Sequence, residues 1–141
     1  MSKKFPYLFV PGTHGPTPRS VIPVQIGLNA SDGLYAYPAL IDSGADICMF
    51  PPEVAREIGI VDLTSGRRNG ASGVVEGISA EYYIHRISLN VGGWIHEIDA
   101  GFMPGLTRLG HGILGQKGFF ENFIVKFDLR KGEIELERHD S

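Results

Sequence analysis

The most chemically suggestive stretch of the sequence is a short polar turn that directly follows an apolar run. Residues 39–41 are Ala-Leu-Ile, and Asp42, Ser43 and Gly44 come next. An apolar run of this kind is typical of a buried strand, which would deliver a carboxylate and a hydroxyl to the start of a tight loop. The glycine lets a backbone or a substrate approach them closely. The same pattern also fits an ordinary polar turn after a core strand, so this stretch alone leaves both interpretations open.

A second short motif favours the functional interpretation of this loop over an ordinary polar turn. Residues 112–115 are Gly-Ile-Leu-Gly, and a glycine-rich stretch separates them from the apolar-apolar-Asp-Ser-Gly-Ala run at 40–45. In this order and spacing the two motifs resemble those of the retropepsins, the retroviral-type aspartic proteases, and among them the single-domain bacterial members. The resemblance extends over about residues 21–137.

The resemblance implies a role for each residue of the first motif. Asp42 would be the catalytic carboxylate, and Ser43 would be the hydroxyl that hydrogen-bonds across a dimer and braces the two active-site loops. Gly44 would bring its main chain to the substrate. Ala45 would contact the substrate in the same loop, and Asp46 would hydrogen-bond to the substrate backbone.

The resemblance also implies the surfaces that hold a peptide. Apolar side-chain pockets would be lined by Ile47, Met49 and Ile113. The glycine-rich stretch 69–75 would be a flap that closes over the bound peptide. Its substrate-contacting residues would be Gly70, Ala71, Ser72 and Gly73.

The sequence departs from the family pattern after the second motif. Retroviral enzymes often have an arginine there, which braces the acid of the active-site loop. Here Gln116 and Lys117 follow Gly115. Either Lys117 substitutes for the arginine or the loop is braced differently, which leaves the role of Asp46 open.

Aspartic proteolysis needs two carboxylates, and this chain supplies one of them. Two close carboxylates cannot both ionise, so they share a proton and act as a base and an acid. The only rival motif, Asp99-Ala100-Gly101, lacks the hydroxyl and is more simply a strand-end turn. The resemblance therefore implies a two-fold homodimer with Asp42 opposite Asp42. Such an endopeptidase would cleave extended peptides, prefer apolar residues about the scissile bond, and work best at mildly acidic pH.

The remaining sequence predicts mainly short strands that position these motifs. The clearest helix spans 51–59, where proline opens it, Glu53 lies in its first turn and Gly59 can end it. We therefore expect an all-β fold, a closed acid-protease barrel with one or two short helices. Alternating apolar residues predict three hairpins, formed by 21–29 with 34–41, 87–91 with 94–100, and 123–128 with 133–137.

The chain is expected to contain one domain. Residues 1–20 are rich in Pro, Gly and Thr and predict an extended N-terminal lead, and residues 21–141 would form the protease domain. The run from Phe5 to Val10 and the strand from Gly132 to Arg138 are candidates for a sheet between subunits, although both could pair within one chain.

The composition excludes several other classes of protein. The 141 residues include 19 Gly and 9 Pro without a Gly-x-y repeat, and a net charge of −3 gives no basic surface for nucleic acid. Cys48 is the only cysteine, and the five histidines lack metal-ligand spacing, so no disulfide, metal or cofactor is expected. No apolar run could span a membrane and no secretory signal is evident, so a cytoplasmic location is expected.

Five further side chains have simple structural interpretations. Cys48 is expected to be a small buried apolar residue, although a position close to the active site would make activity sensitive to oxidation. His85 and His96 are expected on solvated strand faces. Arg67 and Arg68 are expected in a solvated loop, where at the base of a flap they could influence the charge preference for substrates.

Two other functions remain open on the sequence alone. A non-catalytic module of the same fold, which binds peptides or only assembles, would not need the Asp-Ser-Gly set. A nucleotide hydrolase of the trimeric dUTPase kind also carries an apolar-Ile-Asp segment, but it expects a tyrosine shortly afterwards, whereas Ser43 to Asp46 follow here. The glycines at 110, 112 and 115 match the dinucleotide fingerprint, but too little chain follows them for a nucleotide-binding unit.

Overall fold

Short strands make up most of the structure, a computed structural model that describes residues 1–71 and 80–139. In these described ranges one α-helix, α1 (Pro52–Glu57), and three 3-10 helices, at Ala30–Asp32, Leu63–Ser65 and Pro104–Leu109, lie between them. In chain order the strands are β1 (Ser2–Pro6), β2 (Leu8–Val10), β3 (Thr17–Arg19), β4 (Val21–Gly27), β5 (Tyr35–Ile41), β6 (Cys48–Phe50), β7 (Arg67–Ala71), β8 (Ala80–Val91), β9 (Trp94–Phe102), β10 (Gly112–Leu114), β11 (Phe123–Asp128) and β12 (Glu133–Arg138).

Six strands close into a barrel in the order β4-β5-β10-β6-β9-β8. The closing pair is β4 with β8, where Gln25 lies opposite Asn90 and accepts a hydrogen bond of 2.8 Å from its side-chain amide. Four of the six pairings are antiparallel, but β10 runs parallel to β5 and β9 runs parallel to β6. The predicted all-β class and closed barrel are confirmed.

The core of the barrel follows from the alternation of residues along its strands. On β4, Ile22, Val24 and Ile26 are each at most 2% exposed, while Pro23 and Gln25 between them face solvent. Successive side chains of a strand point to opposite faces, so one face supplies the core and the other the surface. Each such buried aliphatic side chain contributes about 1.5–3 kcal/mol to folding.

The helix α1 forms within the predicted range 51–59 and is shorter than predicted at both ends. Pro52 occupies its first turn, where a missing backbone N–H costs nothing. Val54 and Ala55 are buried against the barrel, and Gly59 ends the turn with a φ of +98°, a conformation that favours glycine. Among the described residues, no helix has the length and apolar character to cross a membrane.

The first residues of the chain belong to a second, three-stranded sheet of order β1-β12-β11. The sequence predicted an extended lead over 1–20, but β1 pairs with β12 within the same chain, and Phe5 lies opposite the buried Ile134. The strands β2 and β3 form a further hairpin. The sequence did not predict these strands because Pro6 and Pro11 lie among them, and proline argues against a strand.

Candidate active site

The two sequence motifs lie side by side at the centre of the candidate site. Strand β10 carries the second motif and runs parallel to β5, so that Leu114 lies opposite Ile41. Directly after β5, the backbone N–H of Asp42 donates a 3.0 Å hydrogen bond to the carbonyl of Leu114. Asp42 is therefore anchored at the point where a buried strand ends and a loop begins.

The loop after β5 turns tightly around the Asp42 carboxylate. The Gly44 N–H donates to Asp42 Oδ1 at 2.9 Å, and the Ala45 N–H donates to the Asp42 carbonyl at 3.1 Å. Asp42 is half-buried, whereas Ser43 and Asp46 are exposed. The loop thus fixes the carboxylate by one oxygen while it presents the neighbouring polar side chains outward.

Residues that follow β10 hold this loop from the other side. The backbone N–H groups of Gln116 and Lys117 donate to the carbonyls of Ala45 and Asp46 at 2.8 and 2.9 Å. Gly115 makes this approach possible, because a Cβ there would lie 2.7 Å from the Ala45 carbonyl oxygen. The glycine of the second motif is needed for close packing of two backbone segments.

Gln116 occupies the position where retroviral enzymes often have a bracing arginine. Its side-chain Nε2 donates a 2.6 Å hydrogen bond to the carbonyl of Ser43. No ion pair joins Lys117 to Asp46 within residues 1–71 and 80–139. Of the two possibilities left open by the sequence, the loop is braced differently, through Gln116 and the backbone. The sequence identified position 116 as a departure from the family pattern, but it did not predict the hydrogen bond to Ser43.

The residues expected to line apolar pockets lie next to the loop. Ile47, Met49 and Ile113 are each half-buried, and Ile113 of β10 lies opposite Met49 of β6. A Cβ on Gly101 would meet the Met49 sulfur at 2.8 Å and the Ile47 Cδ1 at 3.0 Å. The absence of a side chain at Gly101 therefore leaves room for these two side chains.

The predicted flap is described only at its base. Gly70 and Ala71 belong to β7, which pairs with β8 in the register Gly70–Glu81 and Ala71–Ala80. The tip, with Ser72 and Gly73, lies outside the described residues. Arg68 forms an ion pair with Glu81 across the two arms. The sequence predicted Arg67 and Arg68 in a solvated loop, but both belong to β7, and Arg68 has an acidic partner on β8.

A cavity of about 370 Å³ opens beside Ile47. Its charged side chains are of both signs, and one pair, Arg86 with Asp99, forms an ion pair of 3.4 Å. The other charged residues that line it are Arg67, Glu97, Lys117 and Glu121. The rival motif at Asp99-Ala100-Gly101 lies inside β9 and not at the strand end that the sequence predicted. Its Asp99 is exposed and ion-paired, whereas Ala100 and Gly101 are buried.

Cys48 is a buried apolar residue, as the sequence predicted. Its side chain is 0% exposed, and Sγ donates a 3.4 Å hydrogen bond to the carbonyl of Lys117. Burial raises the pKa of the Cys48 thiol to about 12. Since the thiolate is the reactive form, this thiol is unreactive in the folded protein despite its position near the loop.

Two histidines lie against aromatic rings instead of on solvated faces. His85 packs edge-on against Phe102 at 5.7 Å, and its Nε2 lies 2.7 Å from the carbonyl of Leu63. His96 packs edge-on against Phe123 at 5.2 Å. The prediction of solvated faces was wrong because other segments cover both residues. Within the described ranges, no group of three or more His, Cys, Asp or Glu could hold a metal ion.

Comparisons with known proteins agree with this geometry. The model of the aspartyl protease family matches residues 22–117, more than half of the chain, and this span contains both motifs. No curated protein matches the sequence.

Among solved structures, a retropepsin-like aspartic protease from Rickettsia conorii is similar with a TM-score of 0.61 and 17% identity, over 96% of this chain and 92% of that one. The retroviral protease-like domain of Ddi1 from Leishmania major is similar with a TM-score of 0.52 and 15% identity, over 86% of this chain and 95% of that one. The chain therefore belongs to the aspartyl protease family, has the retropepsin-like fold, and is an aspartic endopeptidase.

Proposed function

We propose that the active form is a two-fold homodimer in which the Asp42 carboxylates of two chains form one catalytic pair. The observation that carries this proposal is the anchoring of Asp42 by the Leu114 carbonyl and the Gly44 N–H at the junction of the two motifs. Each chain supplies one such carboxylate, and aspartic proteolysis requires two. A two-fold axis beside the exposed Ser43 would bring both loops together and let the two hydroxyls brace them.

The paired carboxylates would hydrolyse a peptide bond with a single shared proton. The ionised Asp42 takes a proton from water as the water oxygen bonds to the peptide carbonyl carbon, and the protonated Asp42 gives its proton to the carbonyl oxygen. The carbon–nitrogen bond then breaks. The first carboxyl protonates the leaving nitrogen, and the second recovers a proton from the geminal diol. The products are an acid and an amine, and the pair again holds one proton.

The substrate would be an extended peptide that lies between the loops and the flaps. Ile47, Met49 and Ile113 are placed to accept apolar side chains, which supports the preference for apolar residues about the scissile bond. The arms that lead to the flap, β7 and β8, would supply backbone groups to the peptide in the manner of an added strand.

Cleavage of a denatured protein by Asp42→Asn tests the proposal directly. The amide cannot act as a base, so we expect the rate to fall by about 10³-fold or more relative to wild type. Asp99→Asn is the matched control, because Asp99 is an exposed aspartate in the rival Asp-x-Gly motif, and it should cleave at close to the wild-type rate. The measurement is the initial rate of peptide release between pH 4 and pH 7.

Two results would contradict the proposal. Equal cleavage by wild type and Asp42→Asn would remove Asp42 from the mechanism. Tight peptide binding by wild type without cleavage at any pH in this range would favour the non-catalytic module of the same fold.

A further inference from the structure

We infer that Gln116 is a positioning residue for the Asp42 carboxylate and that it acts through the peptide bond between Ser43 and Gly44. The inference rests on the proposed protease function. Gln116 would thus influence the rate of the reaction without contact with the substrate.

A continuous chain of hydrogen bonds connects the two side chains. The Gln116 Nε2 donates to the Ser43 carbonyl at 2.6 Å, and at the other end of the same peptide group the Gly44 N–H donates to Asp42 Oδ1 at 2.9 Å. The peptide group is planar, so a donor that holds its carbonyl also fixes the direction of its N–H. Hydrogen bonds in series polarise one another, so the first bond strengthens the second.

The backbone of Gln116 is itself held on both sides. Its N–H donates to the Ala45 carbonyl at 2.8 Å, and its carbonyl accepts from the Glu121 N–H at 3.1 Å. Only the side-chain torsions of Gln116 therefore remain to be ordered when the bond to Ser43 forms. This keeps the entropic cost of the contact small.

Solvent exposure makes Gln116 more important for geometry than for stability. The Gln116 side chain is exposed, so water can replace its amide at the Ser43 carbonyl at little energetic cost. Water does not hold the peptide group in one orientation. Loss of the Gln116 amide should therefore disorder the N–H donor to Asp42 while the fold is retained.

Substitution of Gln116 by methionine tests this role, because methionine has a similar length and lacks the amide donor. We expect Gln116→Met to lower kcat by about three- to tenfold with KM unchanged, which is the range expected for loss of one hydrogen bond. Gln116→Arg restores an N–H donor and should recover most of the lost kcat. Hydrogen exchange of the Gly44 amide should be faster in Gln116→Met and close to wild type in Gln116→Arg.

Gln25→Met is the matched control, because Gln25 is the only other glutamine and its Oε1 accepts a surface hydrogen bond of 2.8 Å from the Asn90 side-chain amide. It should leave both kcat and the exchange of the Gly44 amide unchanged.

Two results would overturn the positioning role while the protease function stands. In the first, wild type cleaves and Gln116→Met cleaves with the same kcat. In the second, Gln116→Arg fails to recover a kcat that Gln116→Met has lost. If wild type does not cleave peptides, the proposed function fails, and the positioning role of Gln116 in catalysis fails with it.

Discussion

At Gly115 the backbone of the second motif passes so close to the active-site loop that no side chain fits between them. A Cβ there would meet the carbonyl oxygens of Ile47 and Ala45, and the second contact would be 2.7 Å. Both are main-chain atoms of a loop that the neighbouring hydrogen bonds hold in place, so neither can rotate away as a long side chain could. The position therefore couples the stability of the fold directly to the geometry beside Asp42.

Gly115→Ala should lower both the stability and the activity of the protein. We expect the free energy of unfolding to fall by about 1–3 kcal/mol, since overpacking forces the backbone to shift. Urea unfolding monitored through Trp94 measures this change. The matched control is Gly105→Ala, because a Cβ at Gly105 would meet nothing within 4 Å. That variant should stay within about 1 kcal/mol of wild type, and equal losses in the two variants would contradict the packing argument.

Single residues differ in how far the sequence alone could predict them. Asp42 could be identified because the apolar run before it and the glycine after it are adjacent in sequence, and Cys48 because it stands in an apolar stretch. The contact of Gln116 with Ser43 joins residues 73 positions apart, and no local pattern encodes it. The assignment of Gln116 therefore needed the pairing of β10 with β5.

At the level of strands, local pairings were predictable and distant ones were not. The hairpins β4–β5, β8–β9 and β11–β12 each join neighbouring segments, and their alternation and turn residues are visible in the sequence. Each of the parallel pairs β5–β10 and β6–β9 contains one strand of only three residues, β10 or β6, which is too short to show strand alternation in the sequence. Their register is set by the closure of the whole barrel.

The position of His96 on β9 illustrates the same limit. The sequence predicted a solvated face for His96, but His96 alternates with the buried Ile98 and Ala100 along β9, and Phe123 of the three-stranded sheet lies against the imidazole. Burial, and after it the charge of Arg138, lowers the pKa of His96 from its usual value of 6.5. No partner for the His96 Nδ1 is found in the described part of the chain, although that atom is buried.

This environment predicts that the folded protein loses stability as the pH falls. His96 binds a proton more weakly in the folded state than in the unfolded state, so the stability it contributes is present above pH 6.5 and is lost as the pH falls from there toward the lowered folded pKa. His96→Gln should flatten the pH dependence of the unfolding free energy between about pH 7.5 and pH 5. Urea unfolding at several pH values measures the slope.

His14→Gln controls for the loss of an imidazole elsewhere, because His14 is exposed in the loop between β2 and β3. It should retain the wild-type slope. An unchanged slope in His96→Gln would show that burial of this ring does not control the acid response. The predicted slope of the wild type is itself a loss of stability in the mildly acidic range, where the proposed proton-sharing pair of aspartates would work.

The molecule as a whole contains a closed barrel and one Asp-Ser-Gly motif, which under the proposed function is half of an aspartic protease site. The sequence indicated this imbalance, because one Asp-Ser-Gly motif occurs in 141 residues. It left open whether the terminal strands join two subunits or fold back on one, and β1 pairs with β12 within the chain. The barrel is closed, and β1 of the three-stranded sheet is paired, within a single chain. The proposed second chain is therefore argued from the chemistry of Asp42 and not from an incomplete fold.

Mixing of wild type with Asp42→Asn distinguishes a site shared between two chains from a site contained in one. If each active unit needs two Asp42 carboxylates and subunits exchange freely, addition of an equal amount of Asp42→Asn at constant wild-type concentration should lower the rate to about half. A larger excess should lower it toward zero, since almost every wild-type chain then pairs with an inactive partner. Addition of Asp99→Asn in place of Asp42→Asn should raise the rate instead, because that chain supplies an intact Asp42. A rate that does not change with added Asp42→Asn would place the complete catalytic apparatus within one chain.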